Sequence, residues 1–566
     1  MTSHSENAIA SASKRAPEGR TWVLVFYDQL SDEIGPLARL DPEAAGIVLI
    51  ESRAYFRRRP YHKQRIALLI ANQRQFAREQ AERGVAVRYV RTDESFRKAL
   101  GPITEDLGPL LCMVPAELET RIELEPLIED GRVRTEPHGG WITTPEDFRQ
   151  GAGDPPWLMD SFYRHVRKTY GFLMEGRKYA GGKLSFDHEN REPWSGDPPA
   201  PEPPAFEPDA ITREVADLIA RDYAEFPGEV DLAALPATRA DAEACWAWAK
   251  AECMRHFGAY EDAMSTKSST VFHTRLSALI NLHRLLPLRV AREAEGLDIP
   301  LNSKEGFIRQ IVGWREYMRH VHERTDGFRV LVDGTANPCV AVKPGDGGWG
   351  RWTGKAWPYE ETCGGALDGG AEPTALERET PLPPAYWGVP SGLNCLDSVV
   401  ADVWREAYSH HITRLMVLSN IATLLDVSPR ELTDWFLVAY WDSYDWVTEP
   451  NVLGMGTYGM GQMLTTKPYV SGSNYLDNMS DYCGSCAFDP QKSCPIRFFY
   501  WAFLARHEGS LRGVGRLNRM YASLDRRGPG QRAEDGRVFE RARDLLIKGN
   551  SLTPEAMAGE LTLWTH

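Results

Sequence analysis

No run of eighteen apolar residues occurs in this 566-residue chain; the longest apolar stretches are strand-sized or broken by charge, so no membrane-spanning helix is expected. Positive charge is also short. With 65 Lys and Arg against 79 Asp and Glu, the formal net charge of -14 excludes a protein that coats nucleic acid non-specifically and leaves only local basic patches to grip phosphates. Nine cysteines are too sparse for a disulfide framework, and no secretory leader pattern opens the sequence, which points to a reducing, cytoplasmic compartment. Neither G-x-G-x-x-G nor G-x-x-x-x-G-K-[ST] follows any strand-like run, which removes the dinucleotide fingerprint and the phosphate loop.

What is present divides into zones, and the length calls for two or three domains. Residues 1–20, MTSHSENAIASASKRAPEGR, are polar and read as a disordered tail. Over 21–150 the apolar runs WVLVFY (22–27), GIVLI (46–50), VAVRYV (85–90) and LLCMV (110–114) alternate with helical stretches such as 62–84, the pattern of a Rossmann-like α/β domain with a parallel sheet. Residues 151–240 read as an interdomain linker around the proline-rich, acidic EPWSGDPPAPEPPAFEPD (192–209). From 241 to 566 the period is helical; in EGFIRQIVGWREYMRHV the apolar Phe307, Ile308, Ile311, Val312, Tyr317, Met318 and Val321 recur at three- and four-residue steps. Glycine density over about 326–380 is too high for a helix interior and marks an insertion. Its Cys339 and Cys363 have no C-x-x-C spacing and read as ordinary thiols.

Chemistry concentrates between Lys467 and Trp501, where Cys483, Cys486 and Cys494 sit in an aromatic tract. C-x2-C followed by C-x7-C-P can aim three thiolates at one metal centre, with a fourth ligand from elsewhere. Cys395, ahead of a long helical run, is the best candidate, because Cys112, Cys245 and Cys253 lie in strand or helix patterns where buried free cysteine is common. Spacing alone leaves zinc and an iron–sulfur cluster equally open. In YSHHITRLMV (408–417), His411 and Arg414 share a helix face, a pairing suited to proton donation, although an HH dipeptide is more often a packed pair. Trp387, Trp435, Tyr440, Trp441, Tyr444, Trp446, Tyr469, Tyr475, Tyr500 and Trp501 crowd the same region, as core, redox or base-stacking rings.

Several segments together resemble the bacterial iron–sulfur photolyase and cryptochrome family, the prokaryotic (6-4) photolyases: LVFYDQLS (24–31), PYHKQRIAL (60–68), MDSFYRHVRKTYGFLMEGRKYAGGKLSFDHENR (159–191), FGAYEDAM (257–264), EGFIRQIVGWREYMR (305–319), YSHHITRLMV (408–417), EPNVLGM (449–455) and KPY…SGSNY…MSDYC (467–483). The resemblance spans most of 22–521. It implies an α/β antenna domain, a linker and a mostly α-helical domain that binds FAD. A [4Fe-4S] cluster would be held by Cys395, Cys483, Cys486 and Cys494, a match that turns the metal question towards iron. It also implies 6,7-dimethyl-8-ribityllumazine as antenna pigment near Asp28, Glu51, His62 and Lys63.

By the same likeness, His273, Thr274, Leu276 and Ser277 of HTRLS would hold the flavin pyrophosphate, Gln310 and Arg315 would line its pocket, and Arg414 and Asp442 would pair over the isoalloxazine. His411 would give a proton to a flipped-out (6-4) photoproduct beside Tyr469 and Tyr475, and Trp435 and Trp387 would carry electrons to the flavin. The expected activity is light-driven repair of UV-damaged DNA by a monomeric carbon–carbon lyase. Two other readings stand beside it: a blue-light receptor with the same cofactors, and a zinc-stapled nucleic-acid-binding protein. The pattern is departed from at Thr448, where relatives usually carry glutamate at the flavin N5 edge, at Phe436, where a tyrosine can occur, at the short loop before Cys494, and at the glycine-rich insertion.

Overall fold

The computed structural model describes residues 19–340, 345–355 and 368–559. Nearly all of the tail expected at 1–20, and Cys363, fall outside those residues. Five parallel strands, β1 (Thr21–Leu24), β2 (Ala45–Ser52), β3 (Ala86–Thr92), β4 (Leu110–Met113) and β5 (Val133–Glu136), form one sheet in the order β3-β2-β1-β4-β5. Every residue of β2 is buried, which is why its sequence is a continuous apolar run rather than an alternation. Between the strands run α1 (Lys63–Arg83), α2 (Phe96–Leu107) and α3 (Leu118–Glu129). α1 starts on His62, whose Nδ1 accepts from the Gln64 amide, and stops at Gly84, where φ of 101° suits a residue without Cβ.

The segment read as a linker is more structured than its prolines suggest. Helix α4 (Met159–Tyr170) buries Phe162, Tyr163 and Val166 against Ile308, Ile311 and Tyr317 in the core of the helical half. Helix α5 (Ala210–Asp222) instead returns to the α/β half, where Val215, Leu218 and Ile219 share its core and Arg74 of α1 binds Glu214 at 3.1 Å. Between them the proline-rich stretch runs without regular secondary structure.

In the helical half, Leu301–Ile308, Arg309–Arg315 and Glu316–Arg324 follow one another without a break, the middle piece π-helical. The other elements used below are α6 (Asn394–Glu406), α7 (Pro429–Ala439) and α8 (Pro495–Arg506), with further π-helical stretches at Thr413–Ser419 and Pro450–Gly456. Such widened turns re-aim side chains and recur at functional sites. The halves are joined by direct bonds: the Leu30 amide donates to Leu282 O, the His62 amide to Val438 O, Arg65 to Leu437 O, and the Leu118 amide to Asp445 Oδ2. No helix among the described residues is long and apolar enough to cross a membrane.

Candidate functional site

The centre of the helical half is a partly buried ion pair. Arg414, on the Thr413–Ser419 π-helical stretch, donates to both carboxylate oxygens of Asp442 at 3.1 and 3.0 Å. Its Nε donates to Ser409 O at 2.8 Å, and its guanidinium lies 4.1 Å above the Tyr440 ring. Asp442 is fixed further by the Ser277 hydroxyl at 2.6 Å, while Asn281 donates to its carbonyl at 3.0 Å. Ser277 thus serves the acid. Leu276 and Thr274 are buried, and the chain around them turns through positive φ at Val271 and Arg275. Arg275 pairs with Glu406 and covers the Tyr408 ring at 4.4 Å.

Three imidazoles adjoin this pair. The His273 and His410 rings stack at 4.2 Å, and His411 stands edge-on to His273 at 5.2 Å. His273 Nδ1 is bonded to Thr270 O at 2.9 Å, leaving Nε2 buried without a partner, and His410 Nδ1 is likewise unpartnered. Burial, aided by the neighbouring cationic groups, pushes His411 down to about 4 and His273 to about 3. Both rings are therefore neutral at pH 7. His411 nevertheless keeps 39 % of its side-chain surface open, so an incoming molecule can reach it.

A chain of charge joins His411 to the tyrosines. Glu261 lies 3.9 Å from His411 Nε2 and accepts from Gln310 at 2.7 Å and Arg309 at 3.5 Å. Arg309 reaches Asp187 at 3.1 Å, and Arg191 also binds Asp187 and lies 3.6 Å from Asp262. The Tyr475 hydroxyl donates to Asp262 at 3.4 Å. Burial and the adjacent Glu261 push Asp262 up to about 6. Tyr469 lies in the same field, its phenol raised by burial and then by Asp187 and Asp160. His411, Gln310, Tyr475 and Tyr469 are thus brought together.

Arg315 points elsewhere. It stacks on Trp141 at 4.2 Å and Trp446 at 5.2 Å, and Nε and Nη2 have no protein partner. Thr448 is buried beside this segment, its amide donating to Tyr444 O at 2.8 Å.

Trp435 is fully buried and Trp387 lies further out, and the structure supplies a ring between them. Trp404, on α6, stacks on Trp387 at 4.9 Å and meets Trp435 edge-on at 6.1 Å. Tyr440 lies 6.0 Å from Trp435, so aromatic rings run from the Arg414–Asp442 pair outward with no centroid separation above 6.1 Å. Both Trp404 and Trp435 donate their indole N–H to Tyr386 O at 2.9 Å.

The four cysteines converge at one end of this half. Cys395 opens α6, Cys483 and Cys486 lie on a tight turn, and Cys494 caps α8. The Asn394 amide ties Tyr482 O at 2.8 Å and Ser485 Oγ at 3.0 Å. Burial raises the Cys395 thiol, and Cys494, Cys486 and Cys483 add to the shift in that order. The sulfurs do not close into a coordination sphere: among the described residues, no three His, Cys, Asp or Glu side chains stand close enough to hold a metal ion.

The four residues assigned to the antenna are dispersed. Glu51 is held by Arg74 at 2.8 and 2.9 Å and lines a cleft of about 250 Å³ with Arg53, Arg91, Asp93, Asp222 and Tyr223. Asp28 accepts from the Ala116 amide, and Lys63 reaches Glu229 at 3.4 Å; neither lines that cleft. His62 faces the other half, its ring parallel to Trp404 at 5.8 Å and its Nε2 donating to Trp404 O at 3.1 Å.

Known proteins resemble this chain in sequence and in fold. A (6-4) photolyase of Agrobacterium fabrum (strain C58 / ATCC 33970) is 33 % identical over 523 residues, covering 89 % of this chain and 95 % of the relative. The chain belongs to the photolyase and cryptochrome family. The family model for deoxyribodipyrimidine photo-lyase-related protein matches residues 23–234. The crystal structure of a bacterial class III photolyase from Agrobacterium tumefaciens superposes with a TM-score of 0.50 at 14 % identity, over 94 % of this chain and 99 % of that one, a likeness of fold. An uncharacterized protein, R855, of Acanthamoeba polyphaga mimivirus is 39 % identical over 66 residues, 12 % of this chain and 54 % of its own. The α/β half followed by a helical half is the photolyase/cryptochrome fold, and members of this family generally bind FAD.

For this photolyase relative, residue identity missed Trp404, Glu261 and Asp262 as parts of the site. Glu261 and Asp262 lay inside a quoted motif, FGAYEDAM, so adjacent carboxylates there were a usable signal. Trp404 carried none, because a lone tryptophan on an amphipathic helix reads as packing.

Proposed function

We propose that the protein is a flavin-dependent photolyase that repairs (6-4) photoproducts in UV-damaged DNA. The observation that carries this reading is the His411 cluster beside the Arg414–Asp442 pair, in a chain that matches 95 % of a (6-4) photolyase's length. FAD fits the residues present: buried polar atoms without protein partners, His273 Nε2, His410 Nδ1, Trp441 Nε1 and Tyr444 Oη, lie around the ion pair, and a polar ligand would satisfy them. When bound, FAD supplies the light-driven one-electron donor. Arg414 and Asp442 would hold fixed charges beside it, and the tryptophans Trp435, Trp404 and Trp387 would carry electrons towards it.

His411 does the proton work. Burial first, and then Arg309 and Arg414, lower the pKa of His411 in the free protein, and a nearby DNA phosphate would favour the imidazolium that protonates the lesion. Glu261 at 3.9 Å orients the charged ring. Tyr469 and Tyr475 offer stacking faces for the flipped-out base, whose poor stacking in damaged DNA lowers the cost of extrusion. Cys395, Cys483, Cys486 and Cys494 would hold a [4Fe-4S] cluster, a reading supported by the C-x2-C-x7-C spacing and by Asn394, which ties the start of α6 at Cys395 to the Tyr482–Ser485 turn. The cleft at Glu51 would hold the lumazine antenna.

Thr448 favours a second reading. A buried hydroxyl cannot donate a proton as a carboxylic acid does, so a blue-light receptor with little repair remains the alternative. Illumination of the reduced protein with an oligonucleotide carrying one (6-4) lesion separates the two. Repair predicts restored pyrimidines with the unmutated chain and none with His411→Ala, whereas no restoration with either selects the receptor.

A further inference from the structure

None of the described residues of the glycine-rich insertion lines the cleft at Glu51, yet part of the insertion is folded onto the tryptophan row. Asp346 accepts from the amides of Gly348 and Gly350 at 2.9 Å each, closing a tight loop over Asp346–Trp352. Trp349 is buried, Trp352 donates its N–H to Leu382 O at 2.9 Å, and Arg351 pairs with Glu431 on α7. Gly347 lies so close to α7 that an added Cβ would stand 2.5 Å from Trp435 Cα, and its φ of +61° disfavours any other residue. The Gly347 carbonyl accepts the Trp387 indole N–H at 2.9 Å. The outermost ring of the row is therefore capped by backbone and does not offer its N–H freely to water.

We propose that the Asp346–Trp352 loop controls proton loss from Trp387 once that ring has given up an electron. The proposal rests on the reading of Trp435, Trp404 and Trp387 as an electron path. One electron passes from Trp387 to oxidised Trp404, which restores Trp404 and leaves Trp387 as a radical cation with its N–H intact. Loss of that proton to water or a buffer base would leave a neutral radical, unable to regain an electron as neutral tryptophan without also regaining a proton. A peptide carbonyl is too weak a base to take the proton. With the N–H held on Gly347, the positive hole stays mobile, and it either returns inward or is filled by one electron from an external thiolate, which becomes a thiyl radical. The loop thus sets how much of the light-driven charge separation lasts.

The test uses the full flavin-loaded chain with ¹⁵N-labelled tryptophan, comparing it with Asp346→Ala, which loosens the loop without touching Trp387, and Gly347→Ala, which displaces it. Exchange of the Trp387 indole N–H, measured in the dark, should be about tenfold faster in Asp346→Ala, the change to which one ordinary hydrogen bond converts. After a flash, the neutral tryptophan radical should form in proportion to added imidazole buffer in both variants and independently of it in the unmutated chain. Equal exchange and equal buffer dependence in all three would overturn the proposal alone. If Trp387→Phe leaves the long-lived tryptophan radical in place, Trp387 is not the end of the path, and both the path and the loop's role fall.

Discussion

Removing the Arg414 guanidinium should expose how much of the site depends on one ion pair. Arg414→Met keeps the stem and deletes two charge-assisted bonds to Asp442, one bond to Ser409 O and the face contact with Tyr440. Breaking a buried pair by removing one partner costs about 3–5 kcal/mol, because the other charge is stranded. Arg414 is a quarter exposed, and Asp442 keeps the Ser277 hydroxyl at 2.6 Å, so the cost belongs at the lower end, about 3 kcal/mol. Asp442→Asn should cost about 2 kcal/mol, since the amide retains a Ser277 bond while Arg414 loses its counter-charge. The double variant should cost less than the two added together by roughly 1–2 kcal/mol, the signature of directly coupled residues. Urea unfolding of the four proteins, followed by tryptophan fluorescence, gives the cycle, and flavin retained on gel filtration gives the functional side, with Arg414→Met losing affinity about tenfold. Additive effects with full flavin retention would refute the placing of this pair at the cofactor.

Three further outcomes follow from the same structure. His62 is held neutral, its pKa pushed down to about 4 by burial, so the unfolded chain binds a proton that the folded chain does not between pH 6.5 and 4; stability is lost as pH falls through that window, and His62→Gln should relieve about 3 kcal/mol of the loss at pH 4. Asp262 is the opposite case: with its pKa raised to about 6, the folded chain holds a proton that the unfolded chain releases, so stability declines as pH rises from about 4 to 6, and Asp262→Asn should flatten that part of the urea-midpoint profile. Cys395→Ala should lower bound iron from about four atoms per chain and release acid-labile sulfide, whereas Cys245→Ala should leave both unchanged; stoichiometric zinc without sulfide in the unmutated chain would sink the cluster assignment.

Much of the architecture was legible because local pattern and burial agree. The run GIVLI announces a strand buried on both faces, and β2 is one; the three- and four-residue spacing from Phe307 to Val321 announces a helix, and those residues do face its core. The bounds were less legible where composition overrode periodicity. The prolines of 192–209 drew attention away from α4 and α5, whose apolar stripes pack into opposite halves of the molecule. At the site, the Arg414–Asp442 pair was reached through family likeness, while the four cysteines were reached by C-x2-C-x7-C spacing with Cys395 as the candidate fourth ligand, a set with which the likeness agrees. His62 shows the limit most clearly: its ring partner is Trp404, 342 residues away, and no window of sequence carries such a contact.

The central claim is that this site turns light into repair of one lesion type with His411 as proton donor. The most direct measurement illuminates the reduced, flavin-loaded protein with two oligonucleotides in parallel, one carrying a (6-4) photoproduct and one a cyclobutane dimer, and scores restored pyrimidines by chromatography against dark controls. The account predicts light-dependent restoration of the (6-4) lesion alone, abolished in His411→Ala with lesion binding retained. Restoration of the cyclobutane dimer in place of the (6-4) lesion, or undiminished (6-4) repair by His411→Ala, would contradict it.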